Sequence, residues 1–278
     1  MVLEGSVLLE FKSSLFNNDY NDLSIGEKRY MKNIAVSGCG GKMGKTLCAF
    51  LNSHAEFNLV AGIDPRLAGQ NLGKVAGFES DIIVSGSISE ALKSAKVDVV
   101  VDFTAPSAVV GNAVECLRLK TPILIGTTGI SEKDQNMLAE LARENNTGIM
   151  IVPNFAIGAI LMMNFAKMAA KYMKAAEIIE LHHDQKVDKP SGTAIKTRKG
   201  MLEATGRISE MDNADLIPIH SVRLPGLVAH QEVILGDLGQ TLSIRHDSIS
   251  RDSFMPGIAI ALKQMGSFTG LRVGIELE

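Results

Sequence analysis

The sequence predicts an α/β fold, a doubly wound parallel sheet followed by an α+β unit, and three observations carry that expectation. From residue 31 onward, short apolar runs alternate with helical periodicity at the spacing of strand–helix–strand units. A glycine cluster follows the first of those runs directly. Beyond residue 155 the pattern changes to an amphipathic helix and then to closely spaced strands joined by glycine-containing turns, as in a mixed or antiparallel open sheet. With 278 residues the chain exceeds what one core ordinarily serves, and 46% hydrophobic residues are ample for two.

Residues 1–30 stand apart. Asn17, Asn18, Asp19, Asn21, Asp22 and Gly26 break any period, while Glu4, Glu10, Asp19 and Asp22 speak against an acid-poor transit peptide. Leu8, Leu9 and Phe11 are too short an apolar patch for a secretory signal, so the segment is expected to be a flexible extension, with Met31 opening the folded unit.

Asn33–Ser37 then reads as a strand, and Gly38-Cys39-Gly40-Gly41-Lys42-Met43-Gly44 turns into a helix reaching Leu51. Glycines at these positions permit a tight turn, close approach of backbone to a pyrophosphate and close helix packing, and the helix start favours the phosphate charge. Phe57–Ile63 is a second strand ending in Asp64, roughly two dozen residues past the first glycine, where an acid can accept the ribose hydroxyls of a dinucleotide. Without the glycine turn, Asp64 would read only as a turn residue before Pro65. Together they indicate a Rossmann-type domain.

The alternation continues through a strand at 97–104, a helix reaching Leu119, a strand at 122–125, a helix at about 131–145 and a strand at 148–152. Ligands of doubly wound sheets lie beyond the carboxyl ends of the strands. Phe103-Thr104, Gly126-Thr127-Thr128 and Pro153-Asn154-Phe155 should therefore line one cleft and contact the cofactor.

Ile157–Met173 is an amphipathic helix whose Ile160, Leu161, Met163, Phe165, Met168 and Tyr172 make a broad apolar face, expected to fill a core. A strand at 177–181 follows, then a helix from Ala194 to about Thr205, and strands at 220–223, 229–235 and 240–246. A helix at 256–268 and a strand at 272–276 close the chain. The expected division is a nucleotide-binding domain at 31–155, with 251–278 returning to it, and a substrate-binding and oligomerisation domain at 156–250.

The chemistry is expected in Glu180-Leu181-His182-His183-Asp184-Gln185-Lys186-Val187-Asp188-Lys189-Pro190-Ser191-Gly192-Thr193-Ala194. A histidine at a strand end can release a proton near neutral pH, and Lys186 can hold developing negative charge. Pro190-Ser191-Gly192-Thr193 supplies a hydroxyl cap and free N–H groups at a helix start, which suits an anionic substrate. A bare His-His would read as a packed strand end; the lysine, the helix start and the nucleotide motif together favour a reaction centre.

The formal charge of −3 gives no basic field for nucleic acid, and no run of about 18 apolar residues would span a membrane. Cys39, Cys48 and Cys116 have neither paired nor metal-ligand spacing and are expected to be reduced thiols in a cytoplasmic protein.

Val36–Gly44, Asp102-Phe103-Thr104, Gly126-Thr127-Thr128-Gly129, Asn154-Phe155 and above all Glu180–Ala194 resemble the 4-hydroxy-tetrahydrodipicolinate reductase family, from about Lys32 to the end of the chain. The resemblance implies an oxidoreductase of the diaminopimelate route to lysine that reduces a cyclic imine dicarboxylate with NADH or NADPH and needs no metal. It implies His182 as proton donor, Lys186 as the assisting cation, and His183, Gly192 and Thr193 on the substrate carboxylates. It sets Gly38, Cys39, Gly40, Gly41, Lys42 and Met43 under the pyrophosphate, Asp64 on the ribose, and Gly126, Thr127, Thr128, Pro153, Asn154 and Phe155 along the nicotinamide. Homotetramers assembled through the substrate-domain sheets are typical of the family.

Three positions depart from the family pattern. Lys189 stands where alanine is commonest, Pro65 follows Asp64 where some members have arginine, and Asp247 follows His246 where a basic residue is usual. The Asp64–Pro65–Arg66 arrangement points to dual cofactor use with a lean toward NADH. Two other readings fit the nucleotide half equally: another two-domain NAD(P)-dependent amino-acid dehydrogenase, and a non-catalytic dinucleotide-binding regulator. The 180–194 segment discriminates against both.

Overall fold

The computed structural model describes residues 31–213 and 215–277; the extension expected at 1–30 lies outside them. In chain order the first part runs β1 (Lys32–Ser37), α1 (Lys42–Ser53), β2 (Phe57–Ile63), α2 (Leu72–Ala76), α3 (Ile88–Ser94), β3 (Val99–Asp102), α4 (Pro106–Arg118), β4 (Ile123–Ile125), α5 (Glu132–Glu144) and β5 (Gly148–Ile151). The second runs α6 (Ile157–Ala169), β6 (Ala175–His182), α7 (Gly192–Ala204), β7 (Ile219–Arg223), β8 (Ala229–Asp237), β9 (Gln240–Ser248), α8 (Met255–Gln264) and β10 (Gly270–Val273).

Both faces of the first sheet are covered, which is why its strands are apolar without alternation. Ile34, Val36, Val101 and Met150 point to one side, against Leu47 and Leu51 of α1 and Ile258 and Leu262 of α8. Ala35, Val100, Ile125 and Ile149 point to the other, against α4 and α5. The order is β10-β5-β4-β3-β1-β2, and every pairing is parallel. The chain's last strand extends this sheet, Gly270 opposite Gly148, and the Lys32 ammonium donates to Leu262 O at 2.7 Å and Met265 O at 2.6 Å.

The second sheet, β7-β6-β8-β9, is mixed: β6 and β7 are parallel, the other pairs antiparallel. One face buries Ile178, Val233 and Leu235 against Ala166 of α6 and Ala194, Met201 and Leu202 of α7. On β9, Gln240–Ser243 remain exposed.

The apolar face expected on the 157–173 helix is not a core face. Leu161, Phe165, Met168 and Tyr172 are 37–79% exposed, and the helix packs instead through Ala159, Met162 and Ala166. Ala159 and Ala166 let the helix approach closely around the buried Met162, which leaves Leu161, Phe165 and Met168 outward. The helix also ends earlier than periodicity suggested, at Ala169. Helices α2 and α3 escape periodicity because they span only 5 and 7 residues; their starts are fixed by the side chains of Asn71 and Ser87. The closing helix is shorter than expected, and β10 is shifted toward Gly270 by its register with β5.

Candidate active site

β1 feeds Gly38, whose φ of +80° suits glycine and whose Cβ would lie 2.6 Å from Phe103 O. A Cβ on Gly44 would press into Gly38 O, so the first turn of α1 rests against the end of the strand. Gly41 is the N-cap of α1 and supplies no side-chain cap, so the helix-start N–H groups are left for an anion, as a pyrophosphate requires. Lys42 is exposed at that start, while the Cys39 thiol is buried in the core and pushed up to about 11 by burial and by Asp64. Only the backbone of Cys39 can therefore face a ligand.

Asp64 ends β2 beside this turn and is 3% exposed. Its carboxylate accepts from Arg66 N at 3.1 Å and from the Arg66 guanidinium at 3.3 Å through both Nε and Nη2. Burial favours the neutral acid, but the hydrogen bonds and charge of Arg66 and the Gly40 N–H outweigh it and hold the carboxyl below its usual range.

The strand-end turns are organised by Asp102, which is fully buried at the end of β3. It accepts from Thr104 N at 3.0 Å, Thr104 Oγ1 at 2.7 Å, Thr127 Oγ1 at 2.9 Å and Asn112 Nδ2 at 2.8 Å. The hydroxyl of Thr127 is thus committed inward, whereas Thr128 is exposed. The Phe103 ring lies on Gly126, where any Cβ would collide with it, and its centroid is 5.7 Å from that of Phe155.

β6 carries His182 as its last residue, and Ser191 caps α7 by accepting from Ala194 N at 3.2 Å. Gly192 and Thr193 form the first turn of α7, and Asn154 Nδ2 reaches Thr193 Oγ1 at 3.5 Å across the cleft. Two cavities meet here. One of about 300 Å³ is walled by Met43, Phe103, Gly126, Phe155, His182 and Lys186; the other, of about 540 Å³, by Thr127, Thr128, His182, Lys186, Gly192 and Thr193. Pro153 and Asn154 line both. His182 and Lys186 therefore stand where the two spaces join.

Lys186 Nζ donates to Asp188 Oδ1 at 2.7 Å. Burial holds the His182 imidazole below its ordinary value; Glu180 pulls the other way, while Lys186 and Arg223 push it further down. His183 is half-buried but lines neither cavity, and Thr104 serves the Asp102 network rather than the cleft. Gly38–Lys42 form the glycine turn and Asp64 lies beside it after β2; the turn joins the smaller cavity through Met43. Among the described residues no cluster of His, Cys, Asp or Glu could hold a metal ion.

Several site residues were not anticipated. Glu180, two positions before His182, is fully buried and accepts a hydrogen bond from His182 Nδ1. The alternation of a strand puts Glu180 and His182 on one face, a signal the sequence did contain. Arg223 arrives only through the β6–β7 register, opposite His182. His230 and His246 reach the smaller cavity from β8 and β9, and Lys196 reaches the larger from α7; no local motif links any of them to His182.

Family models match both parts of the chain: "Dihydrodipicolinate reductase, N-terminus" over residues 32–155 and "Dihydrodipicolinate reductase, C-terminus" over 158–274. A 4-hydroxy-tetrahydrodipicolinate reductase of Desulfitobacterium hafniense (strain DSM 10664 / DCB-2) is 43% identical over 258 residues, 87% of this chain and 97% of that one. One from Geobacillus thermodenitrificans is 45% identical over 257 residues, again 87% and 97%. Among solved structures, a dipicolinate-bound dihydrodipicolinate reductase from Paenisporosarcina sp. TG-14 superposes with a TM-score of 0.75 at 38% identity, covering 88% of this chain and 98% of that one.

Proposed function

The chain belongs to the dihydrodipicolinate reductase family, and we propose that it reduces 4-hydroxy-tetrahydrodipicolinate to tetrahydrodipicolinate on the diaminopimelate route to lysine. It is an NAD(P)H-dependent oxidoreductase. One observation carries the reading: His182 and Lys186 stand at the junction of a cavity walled by the nucleotide domain's strand-end turns and one walled by the start of α7.

The dinucleotide's pyrophosphate rests on the Gly38–Met43 turn, whose uncapped helix start offers N–H donors, and Asp64 receives the adenosine ribose. When bound, the reduced nicotinamide supplies the hydride. Phe103, Gly126 and the Pro153–Phe155 turn form its wall, held by Asp102 and Thr127. One substrate carboxylate sits at the α7 start on Ser191, Gly192 and Thr193, where N–H groups and the helix dipole favour negative charge. Lys186 faces the same space and stabilises charge that develops as the ring accepts the hydride, a contribution of about a few kcal/mol. The substrate's 4-hydroxyl leaves as water to give a conjugated imine, the hydride adds to the carbon end of that system, and His182 then delivers the proton that completes the reduction. Its Nδ1 is occupied by Glu180, so Nε2 is the nitrogen that faces the reacting ring. His183 acts through its backbone or through a shift on binding, since its side chain lies outside both cavities.

Both cofactors are used. Asp64 welcomes a free ribose diol, while Arg66, already paired with Asp64 and 82% exposed, tempers its repulsion of a 2′-phosphate. The chain works as a cytoplasmic homotetramer, with the exposed outer strand β9 as the pairing surface. The reading is tested by incubating the protein with freshly made 4-hydroxy-tetrahydrodipicolinate and NADH or NADPH and following loss of the reduced nicotinamide absorbance. Substrate-dependent loss is expected; cofactor binding without turnover would favour a non-catalytic regulator.

A further inference from the structure

Glu180 and Arg223 share one arrangement. Both Glu180 oxygens are bound: Oε1 accepts from Arg223 Nη2 at 2.8 Å, and Oε2 from Arg223 Nη1 at 3.0 Å and from His182 Nδ1. The carboxylate is 0% and the guanidinium 5% exposed. The same guanidinium donates to the chain that carries Lys186, through Nε to Lys186 O at 3.3 Å and Nη2 to Asp188 O at 2.6 Å. One planar cation therefore ties the imidazole's anchor to the loop that presents the active-site lysine.

We propose that Glu180 and Arg223 are positioning residues that hold His182 and Lys186 as one preorganised unit, Glu180 fixing the tautomer and aim of the imidazole and Arg223 fixing the loop to the carboxylate. A buried ion pair is poor evidence for stability as such, because an apolar pair of equal volume often serves a fold as well. This pair is placed for a different use. With Nδ1–H donated to Glu180, the neutral ring keeps its lone pair at Nε2, and a proton taken up there is balanced by the carboxylate behind the ring. Arginine rather than lysine is needed, since only its fork can bind both carboxylate oxygens and two carbonyls together. The charged groups facing His182 are Glu180 on its own strand, Arg223 on β7 and Lys186 on the loop, with Asp188 balancing Lys186. His230 and His246 share the cavity wall from β8 and β9.

The proposal rests on His182 being the proton donor, and the test separates the two. Steady-state kinetics with both substrates, across pH, are compared for Glu180→Gln, Arg223→Lys, His182→Gln and the double variant His182→Gln/Glu180→Gln. Glu180→Gln should lower kcat by roughly 10- to 100-fold, leave cofactor affinity within about threefold, and move the high-pH limb of kcat to lower pH, because the imidazolium loses its counter-charge. Arg223→Lys should lower kcat and raise KM together, since the Lys186 loop is released as well. The double variant should be slowed by much less than the product of the two single effects, as expected when one residue acts largely through the other. A folded Glu180→Gln enzyme with parental kcat and pH limb, or a double variant slowed by the product of the two single effects, overturns the proposal while leaving His182 as donor. Parental turnover in His182→Gln overturns the donor reading itself. If Glu180→Gln does not fold, Arg223→Lys decides: parental kcat and KM there refute the coupling.

Discussion

Asp102→Ala probes how the nucleotide domain shapes the proposed nicotinamide wall. The carboxylate, inaccessible to solvent, accepts four hydrogen bonds, from Thr104 N, Thr104 Oγ1, Thr127 Oγ1 and Asn112 Nδ2. Each charge-assisted bond contributes about 1.5–3 kcal/mol, but the four are not additive, and the donors nearer the cleft can rehydrate. A net loss of about 4 kcal/mol is therefore expected in urea-induced unfolding. Thr127 and Thr104 would also lose the anchor of both turns, and NADH affinity measured by fluorescence titration should weaken about tenfold, equivalent to 1.4 kcal/mol. Asp102→Asn should be much milder, about 1–2 kcal/mol. Its Oδ1 keeps the two threonine hydroxyls and Thr104 N, and Asn112 can turn its amide to offer the oxygen. Parental NADH affinity in a destabilised Asp102→Ala would show that the network serves folding alone, and parental stability would remove Asp102 as its organiser.

Replacing Arg66 with Ala should weaken NADPH selectively and leave NADH within about threefold, against an expected parental discrimination of at most roughly tenfold; a hundredfold parental preference for NADPH would mean that another cation forms the phosphate pocket. Lys186→Ala should lower kcat and raise KM, each by about tenfold or more, with little change in Tm because the Lys186 ammonium is paired with the exposed Asp188 and its backbone bonds survive the substitution; a variant altered in Tm alone would make it a surface-turn residue. Stability should fall as pH drops below about 6.5. The folded-state values of His182 and His246 lie below the ordinary one, so the unfolded chain takes up those protons first, and Asp64, Glu180 and Asp188 extend the loss through the carboxylate range. Urea titrations at several pH values check this, and flat stability between pH 7 and 5 would contradict it.

The doubly wound sheet was legible because it is built from local signals: apolar runs buried on both faces, a glycine turn in which Cβ atoms would collide, and an acid at the next strand end. The second sheet's strands were legible as alternation, and its mixed character follows from the register of β6 with β7. The outward face of α6 was not legible. Periodicity finds an apolar stripe but cannot tell which stripe a sheet selects, and here small residues won over Phe165 and Met168 because they allow closer approach. His182, Lys186, Gly192 and Thr193 were singled out because one short segment carries them all, and the fold brings them to one junction. Arg223, His230 and His246 come from three other strands, so only tertiary pairing brings them there. Thr127, read as a ligand contact, lines the larger cavity while its hydroxyl turns inward to Asp102 at the end of the neighbouring strand, a choice that local sequence does not show.

His182 is the proposed proton donor, and the most direct measurement compares turnover of His182→Gln with that of the parent, alongside NADH affinity for both. The ring's Nδ1 is bound to Glu180 and the ring lines both cavities, while the proposed nucleotide site, the glycine turn and Asp64, lies in the other domain. Turnover should fall by roughly 10²-fold or more, within the span typical of general acid catalysis, with NADH affinity near the parental value. A parental turnover number in a variant that binds NADH normally would contradict it.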